Sequence, residues 1–213
     1  MKLFISLCIF LSFGCIYGEE GLFQYASQYN DKELLETLLK YGTDPSYPAL
    51  NKALKVNDIN SAIILIYYNT DINKRDPQST IRIHGNRGWF ADVKVDGESA
   101  LEMAITQNMP SLTALLLEKG ANPYSFRYTI NKTNNFVQNI TAMSLSIDKN
   151  DTTNIKIFIE NGIDLNKICF STHQYSSTNK KEYTPLQYTI AFHPEMTDLL
   201  NYFISNDAHL ECK

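Results

Sequence analysis

The chain has 213 residues, enough to bury the core of an ordinary domain and to carry a targeting segment besides. Hydrophobic residues make up 44% and charged residues 20%, with 9 Gly and 7 Pro, a globular composition that excludes wholesale disorder, a collagen-like chain and a polytopic membrane protein. A formal charge of -4 and the lack of any five-residue basic run argue against nucleic acid as a partner.

In chain order, Lys2 comes first, then an apolar stretch from Leu3 to Tyr17 that closes on Gly18, Glu19 and Glu20. The stretch is shorter than the roughly 18 to 20 residues that cross a bilayer, and no stop-transfer pattern follows. Residues 1–18 are therefore expected to be a cleaved secretory signal peptide, and the protein to be exported, periplasmic or secreted. The alternatives are an uncleaved anchor or a bacterial lipoprotein with Cys15 as lipid acceptor; Ser12 stands where lipoprotein signals carry a large aliphatic residue. Cleavage after Gly18 takes the net charge to -5 and leaves Cys169 and Cys212, whose pairing their spacing does not fix. No apolar run of membrane-spanning length follows in the mature chain.

Residues 19–213 read as one domain built on a recurring unit, with copies near 21–46, 48–73, 99–124, 141–166 and 184–211. The third position of the unit holds Phe23, Leu50, Leu101, Met143 and Leu186, and the sixth holds the small residues Ala26, Ala53, Ala104, Ser146 and Thr189. Farther on, Leu39, Ile66, Leu117, Ile159 and, after an insertion, Ile204 share one position, and Gly42, Asn69, Gly120, Gly162 and Asp207 share another. The pattern predicts two short helices. The first offers a large apolar residue and a small one that admits a neighbour, and a tight turn follows at Asn30, Asn57, Asn108 or Asn150. The second carries an apolar stripe such as Leu112, Leu115 and Leu116, ends on a residue that tolerates the left-handed conformation, and leads into an exit turn begun by Asp44, Asp71, Asn122 or Asp164.

With Thr184-Pro185-Leu186 at one end and Leu115-Leu116-Leu117-Glu118-Lys119-Gly120-Ala121-Asn122 as the closest octet, the unit resembles the ankyrin repeat over residues 21–213. The resemblance implies an all-α repeat solenoid of about five helix-turn-helix units, with enlarged β-hairpin insertions in this chain. The His of the family signature is replaced by Gln24, Asn51, Glu102, Ser144 and Gln187, so the bonds it makes between family repeats should be lost and the stack less regular and less stable.

Between units, residues 74–98, 125–140 and 167–183 are long enough for extended hairpins, and the alternation of Ile81 and Ile83 with Val93 and Val95 marks the first. These segments gather aromatics and cations. Insertions in repeat chains map to one face, often the binding face, and aromatics and Arg dominate binding hot spots. Arg87, Trp89, Phe90, Arg127, Tyr128, Phe136, His173 and Tyr175 are therefore the candidate protein-binding residues. For any single aromatic the competing role is packing, since adjacent long hairpins can pair into a sheet whose own face needs apolar cover.

No nucleophile elbow, phosphate loop, zinc-protease motif, Cys-x-x-Cys or dinucleotide fingerprint occurs, so neither an enzyme nor a cofactor is expected. Asp92, Asp96 and Gly97 hint at a calcium loop, but Lys94 sits at a ligand position and Met103 where the closing acid belongs. His84, His173, His193 and His209 are scattered and predict no metal site. Asn131, Asn139 and Asn150 head glycan-acceptor triplets in a eukaryotic host. The expected function is a non-enzymatic, protein-binding ankyrin module outside the cytoplasm; the alternative is a secreted host-directed effector or a toxin-neutralising regulator.

Overall fold

The computed structural model describes residues 25–26, 29, 31–40, 47–68, 70–84, 90–131, 136–174 and 179–210. The expected signal peptide, Cys15, Cys212, Arg87, Trp89 and Tyr175 lie outside them, as does most of the first half of the first unit. The chain divides into two compact units, Met1–Lys74 and Arg75–Lys213.

In the first, α1 (Lys32–Lys40) buries Leu35, Leu38 and Leu39, the 3,4-spaced stripe its sequence offers. α2 (Tyr47–Lys55) pairs with α3 (Ile59–Tyr67), which starts where the Asp58 carboxylate accepts the Ser61 N–H at 3.1 Å.

The second unit alternates hairpins and helix pairs. In order it contains β1 (Ser79–His84), β2 (Phe90–Val95), α4 (Ala100–Thr106), α5 (Pro110–Glu118), β3 (Arg127–Asn131), β4 (Phe136–Ile140), α6 (Ala142–Asp148), α7 (Thr152–Glu160), β5 (Phe170–Gln174), β6 (Lys181–Tyr183), α8 (Pro185–Phe192) and α9 (Thr197–Ser205). α4 packs on α5 and on α6, α5 on α7, α6 on α7 and α8, and α8 on α9.

Both kinds of helix end use the left-handed conformation. Asn57, Asn108 and Asn150 have φ of 61°, 56° and 51°, and Gly120, Gly162 and Asp207 have 92°, 74° and 64°. The reversal lets the next N–H reach back into the helix just completed: Asp58, Met109 and Asp151 donate to the carbonyls of Ala53, Ala104 and Ser146 at 2.8 to 2.9 Å. These carbonyls belong to the small residue of the unit, so one position serves both close approach and closure of the turn. The exit turns follow the sequence too, with Asp71, Asn122 and Asp164 each accepting the N–H two residues on.

The three hairpins lie where the sequence places them, but the all-α expectation is overturned. The fold is mixed: among the described residues nine helices accompany two antiparallel sheets, β1-β2 and β3-β4-β5-β6. Reading the hairpins as insertions on an all-α stack gave too little weight to two facts. The second and third pair with each other through β4 and β5, with Val137 opposite His173. The first buries its inner face against the second, where Ile83, Val93, Val95, Ile130 and Val137 form a core with Ile81, Ala91 and Tyr128 at its margin. A sheet with its own apolar core is a layer of the fold.

Loss of the signature His does not leave that position idle. Glu102, Ser144 and Gln187 each bond back to the N–H of Ser99, Thr141 or Thr184, completing a capping box at α4, α6 and α8.

Gly97, at the base of the first hairpin, lies against the Asp76 backbone, so a Cβ there would overlap that peptide. Gly97→Ala is expected to destabilise the chain by about 1 to 3 kcal/mol, as overpacking does, measured by chemical denaturation.

Candidate functional site

The outer face of β1-β2 combines a large exposed aromatic with charge. Register places Arg82 opposite Asp92 and His84 opposite Phe90. Strand alternation then sends Ile83, Val93 and Val95 to the core and leaves Thr80, Arg82, Phe90, Asp92 and Lys94 exposed. Arg82 grips Asp92 with two bonds, Nε to Oδ1 at 2.7 Å and Nη2 to Oδ2 at 2.9 Å. Its guanidinium lies 5.2 Å from the centre of the Phe90 ring, and Phe90 is 63% exposed. The hydrogen bonds from Arg82 hold the Asp92 carboxyl below its ordinary range, and the same pairing raises the guanidinium.

The other candidates separate. Phe136, at the start of β4, is 37% exposed. Tyr128 is half-buried and packs on the hairpin core, while its N–H donates to the Asp96 carboxylate at 2.9 Å. Arg127 serves the interior, ion-paired through Nη1 with Glu98 at 3.8 Å and through Nε with Glu102 at 3.4 Å. His173 is half-buried on β5, on the same sheet face as Val137, and its Nδ1 is buried without a hydrogen bond. Arg82 was not singled out from the sequence, and Asp92 was weighed only as part of a calcium loop; the signal for their pairing was there, because pairing Ile81 with Val93 puts them opposite each other.

The hairpin is anchored at its base by a buried charge cluster. Glu102, 1% exposed, accepts from Arg75 Nη1 at 2.7 Å and from the Ser99 N–H at 3.0 Å. Arg75 reaches on to the Gly97 carbonyl at 3.3 Å and to the Ser125 carbonyl at 3.0 Å. One guanidinium thus ties the end of the first hairpin, the cap of α4 and the approach to the second hairpin.

A second polar cluster is structural. Asp148 Oδ1, at the end of α6, accepts the Tyr188 hydroxyl at 2.7 Å and meets His193 Nε2 at 2.9 Å. Phe170, Tyr188 and Phe192 pack beside it with ring centres 4.5 to 5.5 Å apart. Burial pushes the Tyr188 hydroxyl and the thiol of Cys169 well above their usual ranges, favouring the protonated form of each. The residues of the calcium-loop motif are otherwise engaged, Asp92 by Arg82 and Asp96 by Gln78 and the Tyr128 N–H. Among the described residues no three His, Cys, Asp or Glu side chains group as a metal site, and no helix is long and apolar enough to cross a membrane.

Arg75→Ala would leave Glu102 buried with a reduced set of partners and should cost about 3 to 5 kcal/mol in an unfolding titration. For Asp92 the folded carboxyl titrates below its unfolded value of about 3.9, so the contribution of the pair is present above that value and is lost as pH falls through the lower folded one. A carboxyl-carbon NMR titration should place the Asp92 midpoint below 3.9, and Arg82→Gln should return it to the ordinary value.

In comparisons with known proteins, no family model and no curated protein matches this chain.

Proposed function

We propose that the chain is a non-enzymatic protein-binding module of ankyrin-like construction, acting outside the cytoplasm through the outer face of its first hairpin. The observation that carries this reading is the pairing of Phe90 with Arg82 on a face that the described residues leave exposed. Val93 and Val95 supply the burial that holds the hairpin down, whereas Phe90, 63% exposed, contributes little to it. An aromatic ring stiffened by a cation that is itself held by a carboxylate loses little freedom when a partner covers it, and such residues dominate protein interfaces. β1 adds an edge with no strand paired to its outer side among the described residues, which would admit an extended segment of the partner. The ankyrin-like spacing supports a protein partner by analogy, and the apolar stretch before Gly18 supports export.

Capture from the extracytoplasmic fraction with the isolated chain, compared with its Phe90→Ala variant, tests the reading. The variant should bind the captured protein more weakly by about 2 kcal/mol, roughly thirtyfold, with an unchanged unfolding transition. Unchanged affinity, or a loss of stability in its place, would remove the face from consideration.

A further inference from the structure

Three Asn-x-Thr triplets, beginning at Asn131, Asn139 and Asn150, pair a carboxamide with a hydroxyl at the spacing N-linked glycan transfer uses. The fold treats them differently. Lys132 and Thr133 of the first lie outside the described residues. Asn139 stands on β4, which is paired on both sides, opposite Tyr128 on β3 and Ser171 on β5. Strand alternation puts it on the same sheet face as Val137. Its Nδ2 donates to the hydroxyl of the fully buried Ser171 at 3.1 Å. Thr141, 1% exposed, caps α6, where its hydroxyl donates to the Cys169 carbonyl at 2.8 Å and accepts the Ser144 N–H at 3.4 Å. A sugar on Asn139 would meet Ser171 and the strand that carries it, and the hydroxyl a transferase must reach is inside the protein.

The Asn150 triplet is open. Asn150 and Thr152 are both exposed at the turn from α6 to α7, and neither side chain is held by a hydrogen bond among the described residues. Backbone bonds close the turn without them: the N–H groups of Asn150 and Asp151 donate to the carbonyls of Ile147 and Ser146, each at 2.9 Å. Asn150 takes φ 51°, as Asn57 and Asn108 take 61° and 56° at the equivalent turns, so the fold calls for Asn at this place. It makes no such call on the residue two places on, which is Ile59 in α3 and Pro110 in α5.

We propose that Asn150 is an N-glycan acceptor of the native chain in a eukaryotic secretory pathway and that the fold closes Asn139 to the same modification. The proposal rests on the export part of the function proposed above. Transfer forms a bond from Asn150 Nδ2 to the anomeric carbon of the first sugar of a lipid-pyrophosphate-linked oligosaccharide. The bond from that carbon to the pyrophosphate oxygen breaks, its electron pair leaves with the lipid pyrophosphate, and one Nδ2 proton passes to a base of the transferase. The seven residues of α6 carry the chain about 10 Å from the end of β4 before the turn, so the sugar attaches at the end of the helix pair away from the sheet.

The test is expression of the full chain in cultured animal cells, once as it stands and once behind an added leader of known function. Secreted chain that resists limited proteolysis is treated, in heavy-oxygen water, with the amidase that removes N-linked sugars and leaves labelled Asp where a glycan stood. Its peptides are then read by mass spectrometry. Asn150 should carry the label and Asn139 none. Thr152→Ala, an exposed change that keeps the Asn turn, should abolish the label at Asn150. An unlabelled Asn150, a labelled Asn139, or a label at Asn150 that survives Thr152→Ala would overturn the proposal. Failure of the chain's own leader alone would count against the export reading, and the added leader would still decide the acceptor.

Discussion

The second unit depends on one buried carboxylate. Glu102 is taken out of water at a cost of several kcal/mol and is compensated by Arg75, Arg127 and the Ser99 N–H, while its Oε1 has no hydrogen bond among the described residues. An ion pair in that setting adds less to stability than to definition. Guanidinium bonds have fixed directions, so Arg75 can satisfy Glu102, Gly97 and Ser125 together in one arrangement of the first hairpin, α4 and the approach to the second. The base of the first hairpin inherits its position from this cluster, and the outer face inherits its position from the base.

Apolar burial is then divided between two layers. The helix pairs close around residues such as Leu101, Leu116, Ile147 and Phe158, and the hairpins close around Ile83, Val93, Ile130 and Val137. Since each layer has its own core, the strands carrying Phe90 and Arg82 are supported from behind and their outward residues are left exposed. Aromatics on the helix side of the sheet, such as Phe170 against Tyr188, are spent on packing instead.

Turn chemistry and helix pairing could be read from the sequence because they are local. Asn108, Asn150, Gly120 and Gly162 take positive φ where the spacing asks for it, and the strand positions follow from the Ile and Val alternation. What could not be read was the relation between distant strands. Pairing of adjacent hairpins into a sheet was weighed only as a competing role for their aromatics, because nothing local distinguishes an isolated hairpin from one whose β4 pairs with β5, so the mixed fold class was missed. The candidate face was half legible: Phe90 was named, but its partner Arg82 became visible once the register was fixed. Arg127 illustrates the opposite failure, since an Arg beside aromatics looks like a binding residue until a buried acid two segments away claims it.

The β4–β5 ladder has a consequence for how the chain finds its fold. Phe136 and Gln174 are brought together across the segment that contains α6 and α7. The entropy of closing such a loop depends on how far apart its ends wander. A helix pair that doubles back on itself returns its two ends to the same side, so once α6 and α7 have formed, the ends are already neighbours. The longest-range hydrogen-bonded pairing in the sheet is in this sense made local by the helices inside it, and the chain gains a four-stranded sheet without a four-stranded search.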